Sequence, residues 1–123
     1  MKKPTVSSLK KKLDRLFSIW VRSSAANHQG YARCYTCRTT KKWKELQAGH
    51  YISRSNNATR FSEINVKPQC VACNIFKHGN IPEFALHLVK DYGEHILKTL
   101  SKESRKIRQF SIKELQEMIK LYK

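Results

Sequence analysis

The strongest constraint on how this chain folds is a pair of cysteine doublets, Cys34-Tyr-Thr-Cys37 and Cys70-Val-Ala-Cys73. They use all four cysteines of the 123-residue sequence. Two-residue spacing lets two thiolates turn onto one cation, and two such knuckles suit a tetrahedral zinc. Free thiols or two disulfides are the competing arrangements. The segment between the knuckles is close to the roughly 40-residue limit below which a core usually needs a metal or disulfides. A structural Zn²⁺ is therefore expected, its binding energy becoming folding energy. With four thiolate ligands that metal is coordinatively closed, which leaves any catalysis to other residues.

The charge balance speaks to partners. Twenty-five Lys and Arg against nine Asp and Glu give a net charge of +16, and a polyanion releases counterions on meeting such a surface. DNA is the expected partner. A membrane is not, because the basic residues are spread along the chain without a long apolar run. Met1-Lys-Lys-Pro4 lacks the apolar stretch of a signal peptide, and no segment approaches transmembrane length. A cytoplasmic location is expected, where paired cysteines more often mean metal than disulfide. No small-molecule cofactor is expected.

Around the knuckles the chain divides into three stretches. Residues 1–30 carry an amphipathic helix over 5–23, with Val6, Leu9, Leu13, Leu16, Phe17 and Trp20 on one face and a polar linker behind it. Residues 31–80 form the zinc-bound core. There, alternation of Leu46, Ala48, His50 and Ile52 predicts a strand within 43–52, and a second short strand is expected over 60–64. Gly49 marks a bulge or a close backbone approach. A short helix from Cys70 to His78, stopped by Gly79, would put Asn74 and His78 on one face. Residues 81–123 are basic and helical, packing on the core. Pro82 opens one helix and Gly93 closes it; Ser111 and Glu114 form a capping box, with Phe110 and Leu115 as a hydrophobic staple. The fold class is α+β: a small zinc-stapled ββα core flanked by an N-terminal amphipathic helix and C-terminal helices.

Of five histidines, His50 stands apart, at the end of a strand inside the zinc-framed unit. Neutral imidazole accepts a proton from water near neutral pH, which suits phosphodiester hydrolysis. Asn74 and His78, with His50 itself, are candidate ligands of a divalent metal, Mg²⁺ or Mn²⁺, that polarises the phosphate. Glu63 is a further candidate ligand, although an ordinary exposed glutamate explains it as well. Arg54, Arg60 and Lys77 lie close to the motif and are candidate phosphate contacts. The basic residues after Ser101 are candidates for a second DNA arm.

His50, Asn65-Val66, Cys70-x2-Cys73-Asn74 and Lys77 together resemble the HNH, or ββα-metal, endonuclease signature. More closely, Cys34-Tyr-Thr-Cys37, Ala48-Gly49-His50-Tyr51, Arg60-Phe61, Asn65-Val66 and Gln69-Cys70-x2-Cys73-Asn74 resemble the phage lambda NinG (Rap) recombination family. The likeness covers most of the chain. It implies a bacteriophage protein of DNA recombination that cleaves branched DNA such as Holliday junctions and forks. It also implies His50 as general base, Asn74 as metal ligand and Asn65 as the residue fixing the loop that holds the histidine. One departure stands out: many HNH enzymes carry a metal-binding Asp where this chain has Gly49. A homodimer would match the symmetry of a junction. The rival readings are a non-catalytic zinc protein that binds DNA or RNA, and an HNH nicking or restriction-type nuclease without junction preference.

Overall fold

The structure, a computed structural model, describes residues 3–123. Helix α1 runs over Val6–Ser24 and buries Leu9, Leu13, Phe17 and Val21, a stripe with one apolar residue per turn. Its start is a capping box: the Thr5 hydroxyl accepts from the Ser8 N–H, and the Ser8 hydroxyl accepts from the Thr5 N–H.

Strands β1 (Tyr31–Arg33) and β2 (Thr40–Lys42) form an antiparallel hairpin with Tyr31 opposite Lys42. The first knuckle is its connecting loop. The sequence predicts only a knuckle and a basic turn there, because every residue of β2 is exposed and carries no alternation signal. A 3₁₀ turn at Trp43–Glu45 follows. The expected strand over 43–52 is therefore shorter: β3 is Gln47–His50.

The second strand of the core is not at 60–64. It is β4, Val66–Gln69, antiparallel to β3 with Ala48 opposite Pro68 and His50 opposite Val66. Residues 57–60 instead form a one-turn helix, α2. Phe61 packs against the clusters along α1, while Ile64 packs against a different one beside Phe84. Turn bonds from the Ser62 N–H to the Thr59 carbonyl and from the Asn65 N–H to the Ser62 carbonyl keep this stretch coiled rather than extended. Pro68 disguised the true strand, since proline cannot donate to a ladder; its carbonyl is used by the Tyr35 N–H at 2.8 Å.

After β4 the chain enters a helical passage, as expected, but winds as a π turn over Ala72–Phe76. The Lys77 N–H reaches the Ala72 carbonyl, five residues back, at 2.9 Å. His78 (φ 50°) and Gly79 (φ 92°) then take the left-handed conformation that ends it. Helices α3 (Ile81–Tyr92), α4 (Ile96–Ser104) and α5 (Ile112–Tyr122) complete the chain. Gly93 closes α3, and Ser111 with Glu114 forms the expected capping box of α5. Phe110 and Leu115 bury in one cluster with Leu9 and Leu13 of α1, so the first and last helices pack on each other. The whole is a small α+β fold with two two-stranded sheets among the described residues. No helix of the described residues is long and apolar enough to cross a membrane.

Candidate functional site

The two knuckles converge. Cys34, Cys37, Cys70 and Cys73 bring all four sulfurs within 4.8 Å of one another, and none is in a disulfide. The Cys37 and Cys70 sulfurs are 3.7 Å apart. A tetrahedral site with metal–sulfur bonds of about 2.3 Å has edges of about 3.8 Å, so the cluster could hold a metal ion of zinc's size. The electrostatics point the same way. Burial pushes the Cys70 thiol up to about 12, and the neighbouring Cys37, Cys73 and Cys34 thiols add to the rise. Burial also pushes Cys34 up, but hydrogen bonds from the Cys37 backbone and the Thr36 hydroxyl overcome it and hold Cys34 down at about 6. Burial raises Cys37 as well, but hydrogen bonds from Thr39 outweigh it and hold that thiol below its ordinary value. The thiolate that is costly beside these two is Cys70, and a dication relieves that cost. The Asn80 amide donates to the Cys73 sulfur at 3.5 Å.

A separate cleft of about 400 Å³ opens beside β3, lined by Asp14, His50, Arg54, Asn74, His78 and Gly79 among others. His50 and Ala48 reach it because alternate residues of a strand share a face. His50 Nε2 lies 3.0 Å from the Arg60 carbonyl. A carbonyl only accepts, so Nε2 carries the proton and Nδ1 keeps its lone pair. Burial lowers the His50 pKa below its ordinary value; Arg54 adds to the fall, while the Arg60 carbonyl, Asp14 and the Ala48 backbone oppose it. The net shift favours the neutral imidazole.

Asn65 is fully buried and closes the loop that carries that carbonyl. Its Oδ1 accepts from the Ile52 N–H at 2.9 Å, and its Nδ2 donates to the Ile52 and Thr59 carbonyls, each at 3.1 Å. Asn74 Nδ2 donates to Gln47 Oε1 at 2.8 Å, which leaves the Asn74 Oδ1 available as an oxygen ligand. His78 reaches the same cleft from its left-handed position rather than from a continuous helical face.

The other candidates separate. Arg54 lines the cleft. The Arg60 guanidinium is engaged inside the protein, with Nε and Nη2 on the Asp14 carboxylate and Nη1 on the Arg54 carbonyl. Lys77 lies over the second knuckle, in a groove with Cys70 and Phe76. Glu63 is away from the cleft and accepts from the Tyr122 hydroxyl at 2.9 Å. Asp14 is the residue the sequence did not single out. Its signal was slight: one acid on a helix whose polar face is otherwise dominated by lysine and arginine, 46 residues from its partner Arg60.

Gly49 meets the expectation of a close approach. A Cβ there would stand 1.8 Å from Gln69 Oε1. Gln69 is fully buried and is held by its Nε2, which donates to the Thr36 hydroxyl at 3.1 Å and the Gly79 carbonyl at 2.8 Å. Gly49→Ala is expected to cost at least about 1–3 kcal/mol of stability through overpacking. Urea midpoints should show the loss, and Gly49→Ala combined with Gln69→Ala should recover part of it. Equal losses in the single and double variants would mean that Gln69 is not what excludes a side chain.

Comparison with known proteins places the chain in a family. A family model described as Bacteriophage Lambda NinG protein matches residues 2–123. The Protein ninG of Escherichia phage lambda is 28% identical over 85 residues, covering 63% of this chain and 41% of the lambda protein. The Protein ninG of Salmonella phage P22 is 29% identical over 84 residues, covering 62% of this chain and 41% of its own length. The matched region is thus about two-fifths of the relatives' length. No solved structure matches the chain.

Proposed function

The chain belongs to the Bacteriophage Lambda NinG family, and on that premise we propose that it is a metal-dependent DNA endonuclease of the HNH type, hydrolysing phosphodiester bonds in branched recombination intermediates. The observation that carries this reading is His50. Its Nε2 proton is pinned on the Arg60 carbonyl, its pKa is lowered, and it lines one cleft with Asn74. Such an imidazole is a ready general base.

In this reading His50 Nδ1 takes the proton from the attacking water. Asn65 holds the 52–59 loop ends together, which keeps the Arg60 carbonyl and the His50 ring in place. Arg54 sits where it can meet a phosphate of the scissile strand. Asn74, with His78 beside it, would help to hold Mg²⁺ or Mn²⁺, which when bound polarises the phosphate and stabilises the leaving oxygen. The cysteine cluster takes Zn²⁺ in a structural role, because four thiolates leave no open position. The branched-substrate part rests on the family resemblance. A homodimer acting in the host cytoplasm would suit a symmetric junction.

The rival, a non-catalytic zinc protein that binds nucleic acid, accounts for the charge and the cysteines. It leaves unused a histidine with a fixed tautomer facing a candidate ligand. The test is incubation of the zinc-loaded protein with Mg²⁺ or Mn²⁺ and labelled Holliday junctions, forks, plain duplex and single strands. Metal-dependent cutting of junctions and forks in preference to duplex is expected. Binding without cutting favours the rival, and preference for plain duplex removes the junction assignment while keeping the nuclease.

A further inference from the structure

We infer that Asp14 is the carboxylate that receives the divalent cation in the His50 cleft, and that Arg60 holds its place while no cation is bound. The inference deepens the nuclease reading and rests on it for the identity of the cleft.

Three observations converge. First, the position before the presumed base is closed to an acid: any side chain at Gly49 runs into Gln69. Secondly, among the residues lining the cleft Asp14 is the only Asp or Glu, and it lines it from α1 together with His50 and Asn74. A carboxylate in a cleft that takes DNA repels phosphate unless a cation lies between them, and a divalent cation can serve both. Mg²⁺ is commonly held by one or two carboxylates with substrate phosphates completing its shell, and a carboxylate with an amide oxygen is a hard-oxygen donor set of that kind. Thirdly, Asp14 already has a cation. The Arg60 Nε donates to Asp14 Oδ1 at 3.0 Å, Nη2 donates to Oδ2, and the paired side chains are only 15% and 17% exposed. Planar guanidinium is the residue group that pairs a carboxylate in two-point fashion.

Among the described residues no second group of three His, Cys, Asp or Glu ligands converges as the cysteines do. The cleft thus offers an incomplete shell, to be finished by substrate oxygens. When a dication takes Asp14, the Arg60 side chain is released next to Arg54, where it can meet the phosphate. The backbone carbonyl of Arg60 stays on His50, so the base keeps its tautomer through the exchange.

The experiment is a Mn²⁺ titration of the zinc-loaded chain, following free Mn²⁺ by electron paramagnetic resonance, for wild type, Asp14→Asn and Arg60→Gln. Circular dichroism melts report whether each variant is folded. Asp14→Asn is expected to weaken Mn²⁺ binding by at least about tenfold, the lower bound for losing even an outer-shell partner. Arg60→Gln is expected to tighten it several-fold, because it frees the carboxylate; a merely structural pair predicts no gain. Unchanged binding in folded Asp14→Asn, or no gain in Arg60→Gln, overturns the inference. Should Asp14→Asn fail to fold, Arg60→Gln alone decides. The two readings fail separately. Cleavage that needs His50 with Mn²⁺ binding indifferent to Asp14 removes only Asp14. Asp14-dependent Mn²⁺ binding in a chain that cuts no DNA removes only the nuclease.

Discussion

His50→Ala is expected to lower metal-dependent DNA cleavage by about 10²–10⁴-fold, the usual contribution of a positioned general base, while zinc content and melting temperature stay near wild type. The imidazole is half-buried and makes one polar contact of note, to the Arg60 carbonyl, so its removal leaves no charge stranded. The size of the effect is measured with a forked or junction substrate at saturating Mg²⁺. Residual cutting as strong as wild type would locate the base elsewhere.

The pH profile supplies a second handle on the same residue. Burial sets the His50 pKa below its ordinary value of about 6.5. The base must be neutral, so the rate should be flat through pH 7 and fall only below pH 6.5, with a midpoint lower than that of a free imidazole. Stability follows the same sign. A histidine whose folded pKa is depressed binds protons more readily when unfolded, so its stabilising share is complete above the unfolded pKa and drains away as pH falls below it. A limb centred above pH 6.5 would point to a different titrating group.

Stripping the metal is the other large effect. Structural zinc in small sites is bound with roughly 10–16 kcal/mol of apparent free energy, comparable with the whole stability of a domain, about 5–15 kcal/mol. The knuckle cluster is small: Cys34, Cys70 and Cys73 themselves are core residues, with Ala32 and Leu46 as their buried neighbours. A chelator or Cys73→Ser is therefore expected to unfold the 31–80 region, read as lost strand signal in circular dichroism, with one zinc released per chain into a chromogenic indicator. The α1–α5 cluster contains no cysteine and should retain part of its helical signal. A cooperative, wild-type-like melt after complete zinc loss would refute the structural role.

What the sequence made legible follows from how local each signal is. The knuckles, the capping box at Ser111–Glu114 and the glycine after α3 are encoded within a few residues, and all three are present. Strand β4 was hidden because its evidence lay in pairing with β3 across the chain, while Pro68 argued locally against it. At Gly49 the need for space was readable, whereas the identity of the intruder, Gln69, depended on strand register. His50 and Asn74 could be nominated from spacing. Asp14 could not, because its place in the cleft depends on how α1 docks, and a helical face of mixed charge does not announce which residue turns inward.

The Asn80 amide on the Cys73 sulfur matters for chemistry in an oxidising setting. Cys73 is tied to the segment that carries His78: its carbonyl accepts from the Gly79 N–H at 2.9 Å, and its sulfur accepts from Asn80. No cysteine lines the His50 cleft. Yet peroxide or a disulfide reagent that converts the thiolates would expel the metal, release Cys73 and let the His78–Asn80 turn drift from its post. With a metal in the cluster, the cleft would thereby answer to the redox state of sulfurs that it never touches, and reductant would restore it for as long as oxidation has stopped at the disulfide.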